Sequence, residues 1–222
     1  MNLDFDLVIV AVGMVVAAGG WFVLFRGDRS DIWPRTWAVA ATLIAYSTGA
    51  LAATGHLRTA LGPVDATVVA IGVGVGTMWL VATHLGHAVL CRLFPSFIDQ
   101  VRDLYRLGVD DPWTRVLGPI VAMAVAEELL FRAVIGGVGG FALGVAFYTA
   151  VQLFERKWAL VLAALLGGTI WGGLFEVTGG LVAPVIAHVL WTAALTLLWP
   201  LRGCGPEPLE TPADTPRTTS RR

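Results

Sequence analysis

The chain has 222 residues, of which 56% are hydrophobic and only 14% are charged, and its mean hydropathy is +0.74. A soluble domain usually contains about 25% charged residues. This composition therefore argues against an ordinary soluble domain and predicts a polytopic membrane protein. The formal net charge of −1 provides no basic surface, so no nucleic-acid partner is expected.

Seven apolar stretches recur along the chain, each of about 18–21 residues and therefore long enough to cross a hydrocarbon core of about 30 Å. In chain order they are residues 7–25, 36–55, 66–86, 116–134, 137–154, 158–175 and 181–199. Only Glu155, Arg156 and Lys157 separate the fifth stretch from the sixth. The pattern predicts an all-α bundle of about seven transmembrane helices within residues 1–201.

The basic residues indicate an orientation for this bundle. If the N-terminus lies outside, the alternation of seven helices places all 15 Lys and Arg residues except Arg58 and Arg132 on the inner side. The positive-inside rule therefore predicts an external N-terminus and a cytoplasmic C-terminus, most simply in a bacterial plasma membrane. Five tryptophans fall at the inner boundaries, as in an interfacial aromatic belt: Trp33, Trp37, Trp113, Trp158 and Trp199.

Two segments lie outside the apolar stretches. The loop 95–115 carries Phe97, Val101 and Tyr105 at helical spacing, with Asp99 and Arg102 opposite. This pattern predicts a short helix that lies on the inner leaflet or, alternatively, packs on the bundle. Residues 202–222 are rich in Pro, Thr, Glu and Arg and poor in apolar residues, so a disordered cytoplasmic tail is expected.

Glu127, Glu128 and Arg132 lie inside the fourth apolar stretch. A charge at the centre of a membrane helix costs about 2.5–3.5 kcal/mol on translocon scales, so charged residues there usually have a function. Glu128 and Arg132 are four residues apart and share a helix face, whereas Glu127 points about 100° away. One carboxylate can therefore pair with the arginine while the other stays available. The alternative is a buried ion pair that only fixes helix packing.

His188 in the seventh stretch is expected at a similar depth. At a rise of about 1.5 Å per residue, Glu127 lies about 17 Å from the inner end of its helix, and His188 lies about 10 Å below the outer surface. In a core of about 30 Å these depths agree within the error of the helix boundaries. We therefore expect the acid pair and His188 to form one site. The alternative is a hydrogen-bonded histidine that serves packing alone.

The same residues carry a resemblance to a known family. Glu127-Glu128-Leu129-Leu130-Phe131-Arg132 has two glutamates and an arginine four residues after the second, and residues 167–188 lead through Gly-rich and Ala-Pro segments to His188. This pattern resembles the CAAX-protease and bacteriocin-processing (Abi) family of intramembrane endopeptidases. The resemblance covers residues 116–199, which would form the protease-like core of the bundle.

The resemblance implies a role for each matched residue. Glu127 would be the general base that activates water, and Glu128 and Arg132 would order the site. His188, with Thr192 where the family commonly has asparagine, would support the oxyanion. A threonine hydroxyl still donates a hydrogen bond, so this departure is a mild one.

The second motif departs further from the family pattern, which has a phenylalanine followed four residues later by a histidine. The best match is Tyr148 followed by Gln152. A glutamine side chain can position a water but cannot take its proton. General base catalysis would then depend on Glu127 alone, and the loss of one proton-transfer partner costs about 10²–10⁴-fold.

The predicted function is an intramembrane endopeptidase that hydrolyses a peptide bond of a membrane-associated or lipidated protein. Two alternatives remain open. The Gln152 and Thr192 substitutions allow a catalytically impaired member that acts as a membrane scaffold or binds a partner. A proton-coupled transporter could instead use Glu127 and Glu128 as a proton relay, although the sequence shows no convincing inverted repeat.

No cofactor and no metal are expected. Glu127, Glu128 and His188 have ligand chemistry that suits zinc, but the sequence lacks an HExxH-type pair, the resemblance implies a metal-independent reaction, and Arg132 opposes a cation at this place. A second ligand-like pattern, His84 and His87 with Cys91, lies about 15 Å from the acid pair by the same helical rise. Interfacial histidines are the more common explanation of that pattern.

Overall fold

The computed structural model describes residues 3–26, 29–105 and 111–201, and these ranges contain helices and no strand. In chain order the helices are α1 (Leu3–Arg26), α2 (Ile32–Ala53), α3 (Leu57–Leu61), α4 (Ala66–Leu93), α5 (Pro95–Tyr105), α6 (Trp113–Glu127), α7 (Gly137–Gly139), α8 (Phe141–Val151), α9 (Trp158–Thr178) and α10 (Val182–Ala193). Short 3₁₀ segments precede α2 (Arg29–Asp31) and follow α8 (Gln152–Glu155). The predicted tail, residues 202–222, lies outside the described residues.

Four of the described helices are long and apolar enough to cross a membrane: Phe5–Arg26, Ile32–Ala53, Ala66–Leu93 and Trp158–Thr178. Two shorter apolar helices, Phe141–Glu155 and Val182–Leu198, correspond to the fifth and seventh predicted stretches. The expected all-α, polytopic helical bundle is therefore confirmed. Length and composition alone identify four of its seven predicted crossings.

The fourth predicted stretch is not a uniform α-helix. After α6 ends at Glu127, the chain continues as a π-helix over Glu128–Gly136, and a second π-helix, Ala194–Leu198, follows α10. A π-helix has a wider turn than an α-helix and frequently occurs at functional sites. The motif Glu128 to Arg132 lies wholly in the first of these widened segments.

Close backbone contact fixes α10 against α4. A Cβ atom on Gly72 would lie 2.8 Å from the carbonyl oxygen of Ala183, and one on Gly76 would lie 2.9 Å from the Cα of Ala187. Small residues four apart allow membrane helices to approach this closely. Because the contacts advance together along both helices, α4 and α10 are parallel. The contact at Ala187 places the adjacent His188 within the bundle.

A tight hairpin folds α8 back onto the first π-helix. Gly140, between α7 and α8, has φ of 94°, a conformation that favours glycine. Gly144 then approaches Gly136, and a Cβ atom on Gly144 would lie 2.5 Å from the carbonyl oxygen of Phe131. This antiparallel contact brings the later residues of α8, including Tyr148, alongside the acid pair.

The predicted loop helix is confirmed as α5. Its residues Phe97 and Val101 are buried, and the Phe97 ring lies 5.1 Å from that of Trp158 on α9. The Tyr105 hydroxyl donates to the carbonyl oxygen of Leu195 at 3.0 Å, and burial raises the pKa of this hydroxyl. Of the two expected positions, the helix therefore takes the one packed on the bundle.

Candidate active site

Glu128 is the most deeply buried residue of the site, with 0% of its surface exposed. Its Oε2 accepts a hydrogen bond from Nε of Arg132 at 3.2 Å. Its Oε1 lies 2.8 Å from Nδ1 of His188 on α10. Both carboxylate oxygens therefore have partners, which is the condition under which a buried carboxylate is tolerated.

Glu127 has a different set of partners. Its Oε2 accepts a hydrogen bond from the Tyr148 hydroxyl at 2.8 Å and lies 3.7 Å from Nε2 of His188. Glu127 is 8% exposed. The predicted separation of the two carboxylates is thus present: Glu128 is paired with Arg132, and Glu127 is not. The two acids lie on opposite ring nitrogens of the same histidine.

Aromatic rings hold His188 in place. The indole of Trp171 on α9 stacks against the imidazole, with ring centroids 5.4 Å apart and planes 19° apart. Trp191, one turn later on α10, lies 6.3 Å from the imidazole and donates from Nε1 to Oγ1 of Thr83 at 2.9 Å. Ring stacking on one face and the Nδ1 contact to Glu128 together define where Nε2 points.

Arg132 joins the two halves of the site. Its guanidinium carbon lies 4.7 Å above the ring of Tyr148, a cation–π contact, while Nε donates to Glu128. The side chain is almost fully buried. Neither Nη1 nor Nη2 finds an acceptor among the described residues. The arginine therefore fixes the positions of Glu128 and Tyr148, and Nη1 and Nη2 are not used in these two contacts.

Gln152 and Thr192, the two residues that differ from the family pattern, have different surroundings in the structure. Gln152 is buried at the start of the 3₁₀ segment, but no hydrogen bond joins it to Glu127 or His188 within the described part of the chain. Tyr148, one turn earlier, makes the contact with Glu127 instead. The Thr192 hydroxyl is buried and has no partner in the described ranges, so it remains free to donate.

The second ligand-like pattern is arranged for packing. The His84 ring stacks on Trp199 with centroids 3.9 Å apart, and the His87 ring lies 5.8 Å from that of Phe97. No group of three His, Cys, Asp or Glu side chains within residues 3–26, 29–105 and 111–201 is arranged to hold a metal ion. Both histidines belong to an aromatic cluster at one end of α4.

Residues 110–194 match the family model described as type II CAAX prenyl endopeptidase Rce1-like. This part of the chain is similar to that family and is called the Rce1-like region below. The resemblance carried by the Glu127–Arg132 motif is therefore confirmed, and all seven predicted site residues lie within the Rce1-like region. At the level of the family, the match supports a CAAX-type intramembrane protease and an integral membrane protein.

A search of curated proteins and a search of solved structures returned no significant match. The similarity to known proteins therefore lies in residues 110–194.

Sequence reasoning missed three features that shape the site of the Rce1-like region. Trp171 lies in residues 167–188, which resemble the family, but its spacing from His188 does not predict that the two rings stack. The spacing of Glu128 and Arg132 was interpreted as α-helical, whereas the structure has a π-helix over Glu128–Gly136. The close approach of α4 and α10 could have been found, because Gly72 and Gly76 have the four-residue spacing of a membrane helix contact.

Gly168→Ala is expected to weaken the site by displacing Tyr148. A Cβ atom at position 168 would lie 2.9 Å from Cδ1 of Tyr148, closer than side chains pack. The ring must shift, and the hydroxyl then loses its alignment with Glu127. A misplacement of about 1 Å can cost roughly 10²-fold in rate. The measurement is kcat/KM for peptide cleavage.

Gly173→Ala is the matched control, because it makes the same substitution in α9 at a position with no atom within 4 Å of the added Cβ. It should cleave like the unmodified chain. Equal activities of the two alanine variants would show that the position of Tyr148 does not matter.

Proposed function

We propose that the chain is a glutamate-type intramembrane endopeptidase, in which a water molecule between Glu127 and His188 attacks the peptide bond. The observation that carries this proposal is the 3.7 Å separation between Oε2 of Glu127 and Nε2 of His188. A water can bridge two polar atoms separated by such a distance. Tyr148 donates a hydrogen bond to this same Oε2 of Glu127, and Glu128 contacts His188 at its opposite ring nitrogen, Nδ1.

The reaction needs a base, a stabiliser of negative charge and a proton for the leaving group. Glu127 takes a proton from water as the water oxygen bonds to the carbonyl carbon. The carbonyl oxygen becomes an oxyanion, which the unpartnered hydroxyl of Thr192 stabilises by donating a hydrogen bond. Nε2 of His188 adds a second donor when both ring nitrogens carry a proton. The proton on Glu127 then passes to the amide nitrogen as the C–N bond breaks, which leaves a carboxylic acid and an amine.

The pairing of His188 with Glu128 supports activity despite Gln152. A carboxylate that contacts Nδ1 fixes the orientation of an imidazole and makes its other nitrogen, Nε2, a stronger base, as in the carboxylate–histidine pairs of hydrolases. The imidazole can then take or give a proton at Nε2, on the side that faces Glu127. Two titratable groups, Glu127 and His188, therefore flank the water position although residue 152 does not titrate.

The proposed substrate is a membrane-associated or lipidated protein. The Rce1-like match and the apolar helices favour a substrate that is delivered through the bilayer. The test is cleavage of a panel of membrane-delivered peptides, with and without a lipid anchor, by purified protein in lipid bilayers. Mass spectrometry of both products should show hydrolysis at one bond. Absence of any product across the panel would contradict the proposal.

A second candidate function is a membrane scaffold that has lost catalysis. The observation in its favour is that Gln152, at the position of the family's second histidine, makes no hydrogen bond to Glu127 or His188 within the described residues. Its expected partner would be another membrane protein.

Gln152→His separates the two candidates. If Glu127 and His188 suffice, the unmodified chain cleaves, and the variant gains less than the roughly 10²–10⁴-fold that a missing proton-transfer partner is worth. If the chain is a scaffold, only the variant cleaves. Gln152→Met is the control, because it keeps the side-chain length and adds no titratable group. The measurement is product formation by each variant on the same panel.

We also propose that the bundle crosses the membrane seven times, with the N-terminus outside. Parallel packing of α4 with α10 supports three crossings between them. On α2, Trp37 lies against Gly118 of α6, and Trp33 donates to Asp111 at 2.7 Å, so α2 and α6 are parallel as well. Contacts of Gly62 with Gly179 and Gly180 place the α3–α4 and α9–α10 connections at one end of the bundle.

Single-cysteine labelling tests this topology in intact cells. A membrane-impermeant maleimide should label Val64→Cys and Val177→Cys, both at exposed positions, before the cells are opened. Ser30→Cys and Arg156→Cys should label only after permeabilisation. Each variant is made in a chain that carries Cys91→Ser and Cys204→Ser, and this cysteine-free chain provides the background. Labelling of Ser30→Cys and Val64→Cys from the same side would contradict the seven-crossing bundle.

A further inference from the structure

Thr83 on α4 makes two hydrogen bonds that together join α4 to α10. Its hydroxyl donates to the carbonyl oxygen of Trp79, one turn earlier on the same helix, at 2.8 Å. The hydrogen of the hydroxyl is therefore used within α4, and the oxygen is left to act as an acceptor. Nε1 of Trp191 on α10 donates to this oxygen at 2.9 Å. Thr83 thus holds the Trp191 indole at its only polar atom.

This hydrogen bond selects one of two orientations of the Trp191 ring. Aromatic neighbours fix the plane of an indole, but the torsion that turns it about its Cβ–Cγ bond is broad and roughly two-fold. Trp79 stacks on Trp191 with centroids 6.5 Å apart and planes 30° apart. Such stacking is compatible with either orientation. Only one of them places Nε1 beside the oxygen of Thr83, and an indole N–H inside a protein needs an acceptor.

The orientation of Trp191 matters because this ring supports His188. Its centroid lies 6.3 Å from that of the imidazole. Trp191 also makes an edge-to-face contact at 6.2 Å with Trp171, the ring that stacks on His188. A turned indole would change both contacts at once. Nε2 of His188 would then lose its alignment with Glu127.

Thr83 comes from a part of the chain that lies outside the Rce1-like region. That region covers residues 110–194 and contains both supporting rings and the histidine, whereas α4 ends at Leu93. The contacts of Gly72 and Gly76 hold the backbones of α4 and α10 together, and Thr83 adds a side-chain contact further along α4. The geometry of the candidate site therefore depends on a helix that the family match does not include.

We propose that Thr83 is a positioning residue: it fixes the orientation of the Trp191 indole and, through that ring, the direction in which Nε2 of His188 points. The effect on cleavage rests on the proposed peptidase function. The effect on the position of the imidazole does not.

Thr83→Val tests the positional effect without a substrate. Valine keeps the shape of threonine and removes the acceptor for Trp191. NMR of the full chain, isotope-labelled at Cε1 of its four histidines, reports each imidazole, and the His188 signal is identified by its absence from His188→Asn. Because aromatic rings shift the signals of nearby nuclei, the His188 signal should move in Thr83→Val, whereas the His56 signal should not. An unmoved His188 signal would overturn the proposal.

Thr77→Val is the matched control. The Thr77 hydroxyl donates to the carbonyl oxygen of Val73 at 2.8 Å, the same local bond that Thr83 makes, but Thr77 is exposed and accepts no hydrogen bond within the described ranges. Both substitutions remove a bond inside α4, and only Thr83→Val also releases Trp191. The His188 signal should stay in place in Thr77→Val. Equal movement in both variants would assign the effect to α4 as a whole and overturn the role of Thr83.

Two further variants show whether Thr83 acts through Trp191. Thr83→Ala removes the same acceptor with a smaller side chain, so it should move the His188 signal even if valine prevents folding. Trp191→Phe keeps an aromatic ring beside His188 but has no N–H donor. Adding Thr83→Ala to Trp191→Phe should therefore move the His188 signal no further. A further movement as large as in Thr83→Ala alone would overturn the proposal.

Cleavage gives a separate readout of the same residue. Lost alignment acts on the transition state, so kcat of Thr83→Val should fall about 10–10²-fold while KM changes little. Thr83→Ser keeps the hydroxyl and should restore kcat. An unchanged kcat in Thr83→Val would overturn the effect on cleavage. If the unmodified chain cleaves nothing and the His188 signal still moves, the proposed function fails and the positional role of Thr83 is supported.

Discussion

Glu127→Gln is expected to lower kcat/KM for peptide cleavage by about 10²–10⁴-fold or more, because the variant removes the group that takes the proton from water. The amide oxygen can still accept the hydrogen bond from Tyr148, which is 2.8 Å from Oε2 in the unmodified chain. Position and volume are thus preserved, and only basicity is lost. Product formation under single-turnover conditions measures the chemical step without interference from product release.

The control for this variant is Asp99→Asn, which removes a carboxylate on the exposed face of α5. Asp99 pairs with Arg102 at the surface, and exposed ion pairs contribute about 0–1 kcal/mol, so neither folding nor cleavage should change. Thermal unfolding of Glu127→Gln should also stay close to that of the unmodified chain. Retention of full activity by Glu127→Gln would remove the acid from the mechanism and favour His188 as the only base.

His188→Asn is expected to reduce cleavage by a similar factor, about 10²–10⁴-fold, for a different reason. The amide nitrogen of asparagine can replace Nδ1 and donate to Oε1 of Glu128, which lies 2.8 Å from Nδ1 now. Nothing replaces Nε2, which is the atom that faces Glu127. The variant therefore keeps the buried carboxylate paired and removes the group proposed to stabilise the oxyanion and transfer a proton.

His56→Asn makes the same substitution at the start of α3, away from the site, and should leave cleavage unchanged. The effect of His188→Asn should appear in kcat rather than in KM, because the lost interaction forms in the transition state. A large fall in the unfolding temperature with little change in kcat would instead indicate that His188 only packs the bundle. That outcome was the alternative interpretation of this residue from the sequence.

Double substitution at Glu127 and His188 adds a check on whether they act as one unit. Two groups that serve the same water should be strongly non-additive, so the double variant should be little worse than either single variant. Independent roles would give losses that multiply. The comparison uses the same single-turnover assay.

The sequence by itself determined the class of fold and the residues of greatest interest. Apolar stretches long enough to span a bilayer predicted the helical membrane bundle, because lipid tolerates few other spanning structures. Glu127, Glu128 and Arg132 stood out because charges in such a stretch are costly, and matching depth selected His188. These are local or one-dimensional properties, which composition, spacing and helical rise are able to report.

Only the tertiary structure decided how the chosen residues meet. It shows that Tyr148, rather than Gln152, donates a hydrogen bond to Glu127. The hairpin at Gly140 and the contact of Tyr148 with Gly168 determine this, because they set the position of α8. It also shows Trp171 stacked on His188 and two donors of Arg132 without acceptors. Each of these depends on contacts between helices that are distant in sequence. Spacing within one helix carries no information about which side chain of a neighbouring helix lies opposite.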